Sequence, residues 1–123
     1  MRYMLLCYDD EKYWRDVGET KFREAIQEAV QLTHEMHAKG QYVLSAPLQE
    51  VATATSVRVR DGKRTVTDGP FAETREVLGG FHLIDVDSLD EAVEIASRHP
   101  GARVGTVEIR PVMELEGLPK TNL

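Results

Sequence analysis

The sequence predicts an α+β sandwich: one sheet, two helices packed on one of its faces, and an inserted β-hairpin. Three observations predict it. Apolar runs of strand length alternate with two stretches of helical period. The order along the chain is strand, helix, strand, hairpin, strand, helix, strand. The hairpin is marked by Asp61-Gly62 between two alternating segments.

The 123 residues fit one domain, 1–123, and a hydrophobic fraction of 41% suffices for one core. A net charge of −6 with no Lys/Arg block argues against nucleic acid and anionic membranes as partners. The single cysteine, Cys7, lies in an apolar run and reads as a buried small hydrophobe. It permits no internal disulfide and fits a reducing cytoplasm, an expectation that the lack of a signal-peptide pattern at Met1–Tyr8 supports. No apolar run approaches the roughly 18 residues of a membrane span.

Tyr3 to Tyr8 is a continuous apolar run, expected to be a central strand covered on both faces. Tyr13 to Glu19 reads as a loop or short turn, with Trp14 covering a core edge or a pocket. From Thr20 to Lys39 the period is helical. Phe22, Ala25, Ile26, Ala29, Val30, Thr33, Met36 and His37 form one stripe, Thr20 is the expected N-cap and Gly40 the C′ residue. Gln41 to Pro47 is the second strand, ended by a proline that cannot donate to a ladder.

Thr55–Arg60 and Lys63–Thr67 flank the Asp61-Gly62 turn, and their basic residues form a solvated face. Gly80 to Val86 is the next strand. Ser88 and Glu91 have capping-box spacing, so a helix starts there, with Leu89, Ala92, Val93, Ile95 and Ala96 as its apolar face. His99-Pro100-Gly101 stops it, and Val104 to Pro111 is the last strand. Residues 114–123 carry Gly and Pro and read as a loose tail or as a segment that reaches a partner. Two strand-helix-strand units with right-handed crossovers place both helices on one face, which is a ferredoxin-like sandwich. The other face is then partly apolar, and a second copy of the chain is its simplest cover, so a homodimer is expected.

The stretch from Thr67 to Phe81 is where chemistry would concentrate. In Asp68-Gly69-Pro70-Phe71, Pro70 fixes φ, Gly69 can take positive φ, and Asp68 can fold onto backbone amides. The plain alternative is a turn with an aromatic plug. Asp68, Glu73 and His82 are the candidate catalytic groups, and Phe71, Ser45, Glu108 and Arg110 the candidate ligand-binding ones. Alternation puts Glu108 and Arg110 on the dimer-facing side of the last strand, where they could equally be an interface ion pair. A strand histidine such as His82 is alternatively structural. His34 and His37 lack a third ligand, and no metal signature, assembled triad or phosphate loop is present, so neither metal nor cofactor is expected.

Several segments together resemble a known family. They are Met4-Leu5-Leu6, Ala52 to Gly62, Thr67-Asp68-Gly69-Pro70-Phe71-Ala72-Glu73-Thr74 and Leu78-Gly79-Gly80-Phe81. Leu83 to Val86, Asp90-Glu91-Ala92 and Val107 to Val112 complete the set. The chain is similar to the YCII-related proteins, within them the branch named for its Asp-Gly-Pro-Phe motif. The resemblance implies a ferredoxin-like fold of the dimeric α+β barrel type. It implies little about activity. Some relatives look like small lyases, including a dehydrochlorinase acting on a chlorinated hydroxyquinol. Genes of this branch often sit beside extracytoplasmic-type sigma factors, which implies an accessory or regulatory role. The first-helix histidine of the smaller relatives matches Ala29 here, so a His–Asp mechanism does not carry over. Asp68 and Glu73 remain as acid/base candidates, with Phe71 as a wall. Two readings follow: an enzyme with lyase- or isomerase-like acid/base chemistry on a small organic ligand, or a non-catalytic metabolite-binding or sigma-factor-associated protein.

Overall fold

The computed structural model describes residues 1–120. Strand β1 (Arg2–Asp9) is central in a four-stranded sheet of order β2-β5-β1-β6, with β2 at Tyr42–Pro47, β5 at Val77–Asp85 and β6 at Thr106–Pro111. All neighbours are antiparallel. Helices α2 (Glu19–Ala38) and α3 (Leu89–Arg98) connect β1 to β2 and β5 to β6. The hairpin of β3 (Thr55–Arg60) and β4 (Lys63–Asp68) is a separate two-stranded sheet between β2 and β5. This is the ferredoxin-like α+β arrangement expected from the order of elements. Residues 114–120 form no regular element, and the last three residues of the expected tail lie outside the described ones.

The core lies between the helices and one face of the sheet. Tyr3 and Leu5 of β1 and Ile84 of β5 meet Leu32 and Met36 of α2 and Ala92, Ile95 and Ala96 of α3. Val107 and Ile109 of β6 pack against the same cluster. Because strand side chains alternate, Met4, Leu6 and Tyr8 point away from the helices. The register adds Phe81 and Leu83 to that second face, paired with Leu6 and Met4, and Leu44 and Ala46 beyond them. These side chains are half-buried, and no helix of the described chain covers them.

Several local expectations are corrected. Tyr13 to Glu19 is not a loop. Glu11–Val17 forms helix α1, with Asp10 as N-cap accepting from the Lys12 amide at 2.9 Å. The N-cap of α2 is then Gly18, at φ 93°, and Thr20 lies inside the helix. The helix buries Leu32 and Met36, with Ala25 and Ala29 half-buried, while Phe22, Ile26 and Val30 stay exposed. Of the expected stripe, Ala25, Ala29 and Met36 face the core, whereas the buried Leu32 lay outside it.

At the start of α3 the capping box is present with one altered arm. Ser88 Oγ accepts from the Glu91 amide at 3.2 Å, but the Glu91 carboxylate accepts from the Asp87 amide rather than from Ser88. Leu89 and Val93 are exposed. A short helix α4 (Gly101–Val104) follows, so β6 begins at Thr106 rather than Val104. The hairpin turns through Asp61 and Gly62, both at positive φ (52° and 73°), as a two-residue Asp-Gly turn requires. Its valines Val57, Val59 and Val66 remain more than half exposed.

Candidate functional site

Strand β1 ends in a group of acids that the sequence did not single out. Asp9 accepts a hydrogen bond from Trp14 Nε1 at 2.6 Å, and the Trp14 ring stands edge-on to Tyr13 and Phe22. Burial pushes the Asp9 carboxyl up from its ordinary range. The indole bond opposes this, while Glu11, Glu76 and Asp10 add to it. The close approach of β5 depends on Gly79, where a Cβ would lie 3.3 Å from Asp9 Oδ1.

The stretch between β4 and β5 arrives at this end of the sheet. Arg75 Nε donates to Asp10 Oδ2 at 3.5 Å, and Thr106 Oγ1 donates to Glu76 Oε1 at 3.1 Å. Tyr8 pairs with Thr106, so Glu76 stands beside the open face of the sheet. Farther along β6, Arg110 Nε lies 3.7 Å from Glu108 Oε1. Glu108 and Arg110 are opposite Leu6 and Met4 and border the half-buried apolar patch.

The other expected site residues are spread out. Asp68 closes β4 and is exposed, Phe71 is 76% exposed, and Glu73 lies on the exposed connection. Gly69, at φ 95°, donates its N–H to Ala54 O at 2.7 Å, and its carbonyl accepts from Ser56 Oγ at 2.8 Å. These two bonds hold the turn. Among the described residues, no backbone amide donates to the Asp68 carboxylate.

Ser45 and His82 are directly paired on β2 and β5 and face the helices, opposite to Glu108 and Arg110. Ser45 Oγ shares a 2.9 Å hydrogen bond with Tyr42 OH. His82 is 8% exposed, its Nδ1 has no hydrogen-bond partner, and burial depresses its pKa to about 4. Cys7 and His99 stand beside it. His99 packs edge-on at 5.2 Å between ring centroids, and Cys7 Sγ lies 3.9 Å from His99 Nε2. Burial, with a smaller contribution from Asp9, pushes the Cys7 thiol up to about 11. Cys7 and His99 are 92 positions apart, so no local spacing could have joined them.

Two surface grooves of about 310 and 390 Å³ lie over the helices, lined mainly by charged residues such as Asp90, Glu94, Glu28 and Arg98. They share no residue with the expected site, and their Arg–Glu pairs, Arg98–Glu35 and Arg103–Glu28, are ordinary surface ion pairs.

An uncharacterised protein of Rhizobium meliloti (strain 1021) is 34% identical over 114 residues, spanning 91% of this chain and 92% of its own. The YCII-related domain matches residues 1–116. By sequence, the chain belongs to the YCII-related family.

Proposed function

We propose that this protein takes a small organic ligand into a cleft on the uncovered sheet face, closed by a second copy of the chain, and moves a proton on it in a lyase- or isomerase-like step. The observation that carries the reading is the face itself. Leu44, Phe81, Leu83, Met4 and Leu6 form an apolar floor without a helix over it, and Glu108 and Arg110 border it. A face of this kind is normally an interface or a ligand site. Glu76, which accepts from Thr106 beside the open face, is a carboxylate placed for that proton transfer. Asp68 at the end of β4 and Glu73 on the connection that carries Arg75 are further carboxylates for that step, with Phe71 as an exposed wall. Arg110 would stabilise negative charge developing on the ligand.

The test is an NMR titration with small hydroxylated aromatic acids, following the methyls of Leu6, Leu44 and Leu83. Shifts centred on these methyls that weaken in Arg110→Ala support the cleft. Shifts confined to the charged grooves over the helices, or none, contradict it. Saturable binding without turnover of any titrated compound would leave the cleft in a non-catalytic role, as a metabolite-binding or sigma-factor-associated protein.

A further inference from the structure

We propose that Cys7, His82 and His99 bind a thiophilic d10 metal ion, Zn²⁺ or Cu⁺, between the sheet and the corner where α3 meets α4. One donor atom from each residue lies within 4.8 Å of the others. The donors come from three separate elements: β1, β5 and the C-terminal end of α3. Binding would therefore tie the helix end to the two central strands.

The donor set defines the ion. One sulfur and two imidazoles, with no carboxylate in the cluster, suit zinc-class and cuprous ions and exclude hard cations such as Mg²⁺ or Ca²⁺. His82 supplies an independent observation. It is more than nine-tenths buried, and its Nδ1 has no hydrogen-bond partner. A buried imidazole nitrogen left unpaired is costly, and a coordinated ion is one way to satisfy such a residue.

His99 faces the cluster in the tautomer protonated on Nε2. The Gly101 amide donates to its Nδ1 at 2.9 Å, and Nε2 points toward Cys7 Sγ. A Cβ at Gly101 would stand 2.9 Å from the His99 Nδ1, so a larger residue there would make the imidazole shift. On binding, Cys7 releases its proton to solvent and a metal–sulfur bond forms. His99 carries its proton on Nδ1 instead of Nε2, gives up the Gly101 hydrogen bond, and presents Nε2 to the ion. The ion sheds water as the three protein bonds form, with no change in oxidation state. A tetrahedral zinc would keep one position for water, whereas a cuprous ion is satisfied by three ligands.

The site lies on the helix side of the sheet, so it stands or falls independently of the cleft. The experiment uses chelator-stripped full-length chain, titrated in separate arms with zinc chloride and, anaerobically, with Cu⁺. Calorimetry and elemental analysis read the stoichiometry. One equivalent of either ion is expected, with the arm that saturates naming it. Cys7→Ser and His82→Gln should each weaken binding at least tenfold, while His34→Gln, on the exposed side of α2, should leave it unchanged. Co²⁺ gives a second readout that does not depend on stability: its sulfur charge-transfer band should be present in the native chain and absent in Cys7→Ser. No bound ion in either arm, or equal affinity in Cys7→Ser with the same circular dichroism, overturns the proposal.

Discussion

At Gly105 the backbone leaves no space for a side chain. A Cβ there would stand 2.1 Å from the Tyr8 carbonyl oxygen and 3.1 Å from the Asp9 Cα, both backbone atoms that cannot swing aside. Gly105→Ala is therefore expected to cost about 3 kcal/mol, the upper part of the range for overpacking, measured by urea denaturation. The buried His82 makes a pH prediction. Its folded pKa of about 4 lies below the ordinary 6.5, so between these values the unfolded chain takes up a proton that the fold refuses. The unfolded state binds more protons in this window, so stability is intact above it and is lost as pH falls through it. The loss should reach on the order of 3 kcal/mol across the window. Denaturation of chelator-treated protein at several pH values, compared with His82→Leu, isolates it: the variant should lack this part of the acid loss. A variant with the same acid profile as the native chain would refute the assignment.

At the scale of elements, strong local signals were legible and weak ones were not. Asp61-Gly62 and the Ser88–Glu91 spacing each dictate their own geometry, and both turn and cap form where expected. Helix α1 was missed because its seven residues, Glu11–Val17, are too few to display a period. It exists because Asp10 caps it and Trp14 is held by Asp9, a partner contributed by the neighbouring strand. The inward line of α2 was drawn too wide on one side: Ala25, Ala29 and Met36 face the sheet as expected, but Phe22, Ile26 and Val30 are exposed and Leu32, outside the expected stripe, is buried. Ser88→Ala should remove the cap of α3 and destabilise the fold by about 1 kcal/mol, read as a lower denaturation midpoint with an unchanged slope. A variant as stable as the native chain would mean that the α3 terminus does not depend on this bond.

At the scale of the whole molecule, the sequence carried the layout but not the meeting of distant residues. Strict alternation in β6 placed Val107 and Ile109 inward and Glu108 and Arg110 outward, as found. The gathering of Asp9, Glu76 and Thr106, and of Cys7, His82 and His99, depends on strand pairing across most of the chain and leaves no local pattern. Among the described residues, the outer sheet face and the valine face of a hairpin that stands apart from the main sheet are left uncovered. A two-stranded hairpin is marginal in water without something packed on it, so both surfaces fit the same cover. Leu83→Glu, at the centre of the outer face, should break that association while leaving circular dichroism unchanged, because Leu83 lies opposite the helix-packed core.

Sedimentation equilibrium of the native chain at micromolar concentration tests the central claim most directly. A mass near twice 13.9 kDa, falling to 13.9 kDa in Leu83→Glu, is the expected result. A native mass of 13.9 kDa would contradict the account, since the cleft proposed here requires a second chain to close it.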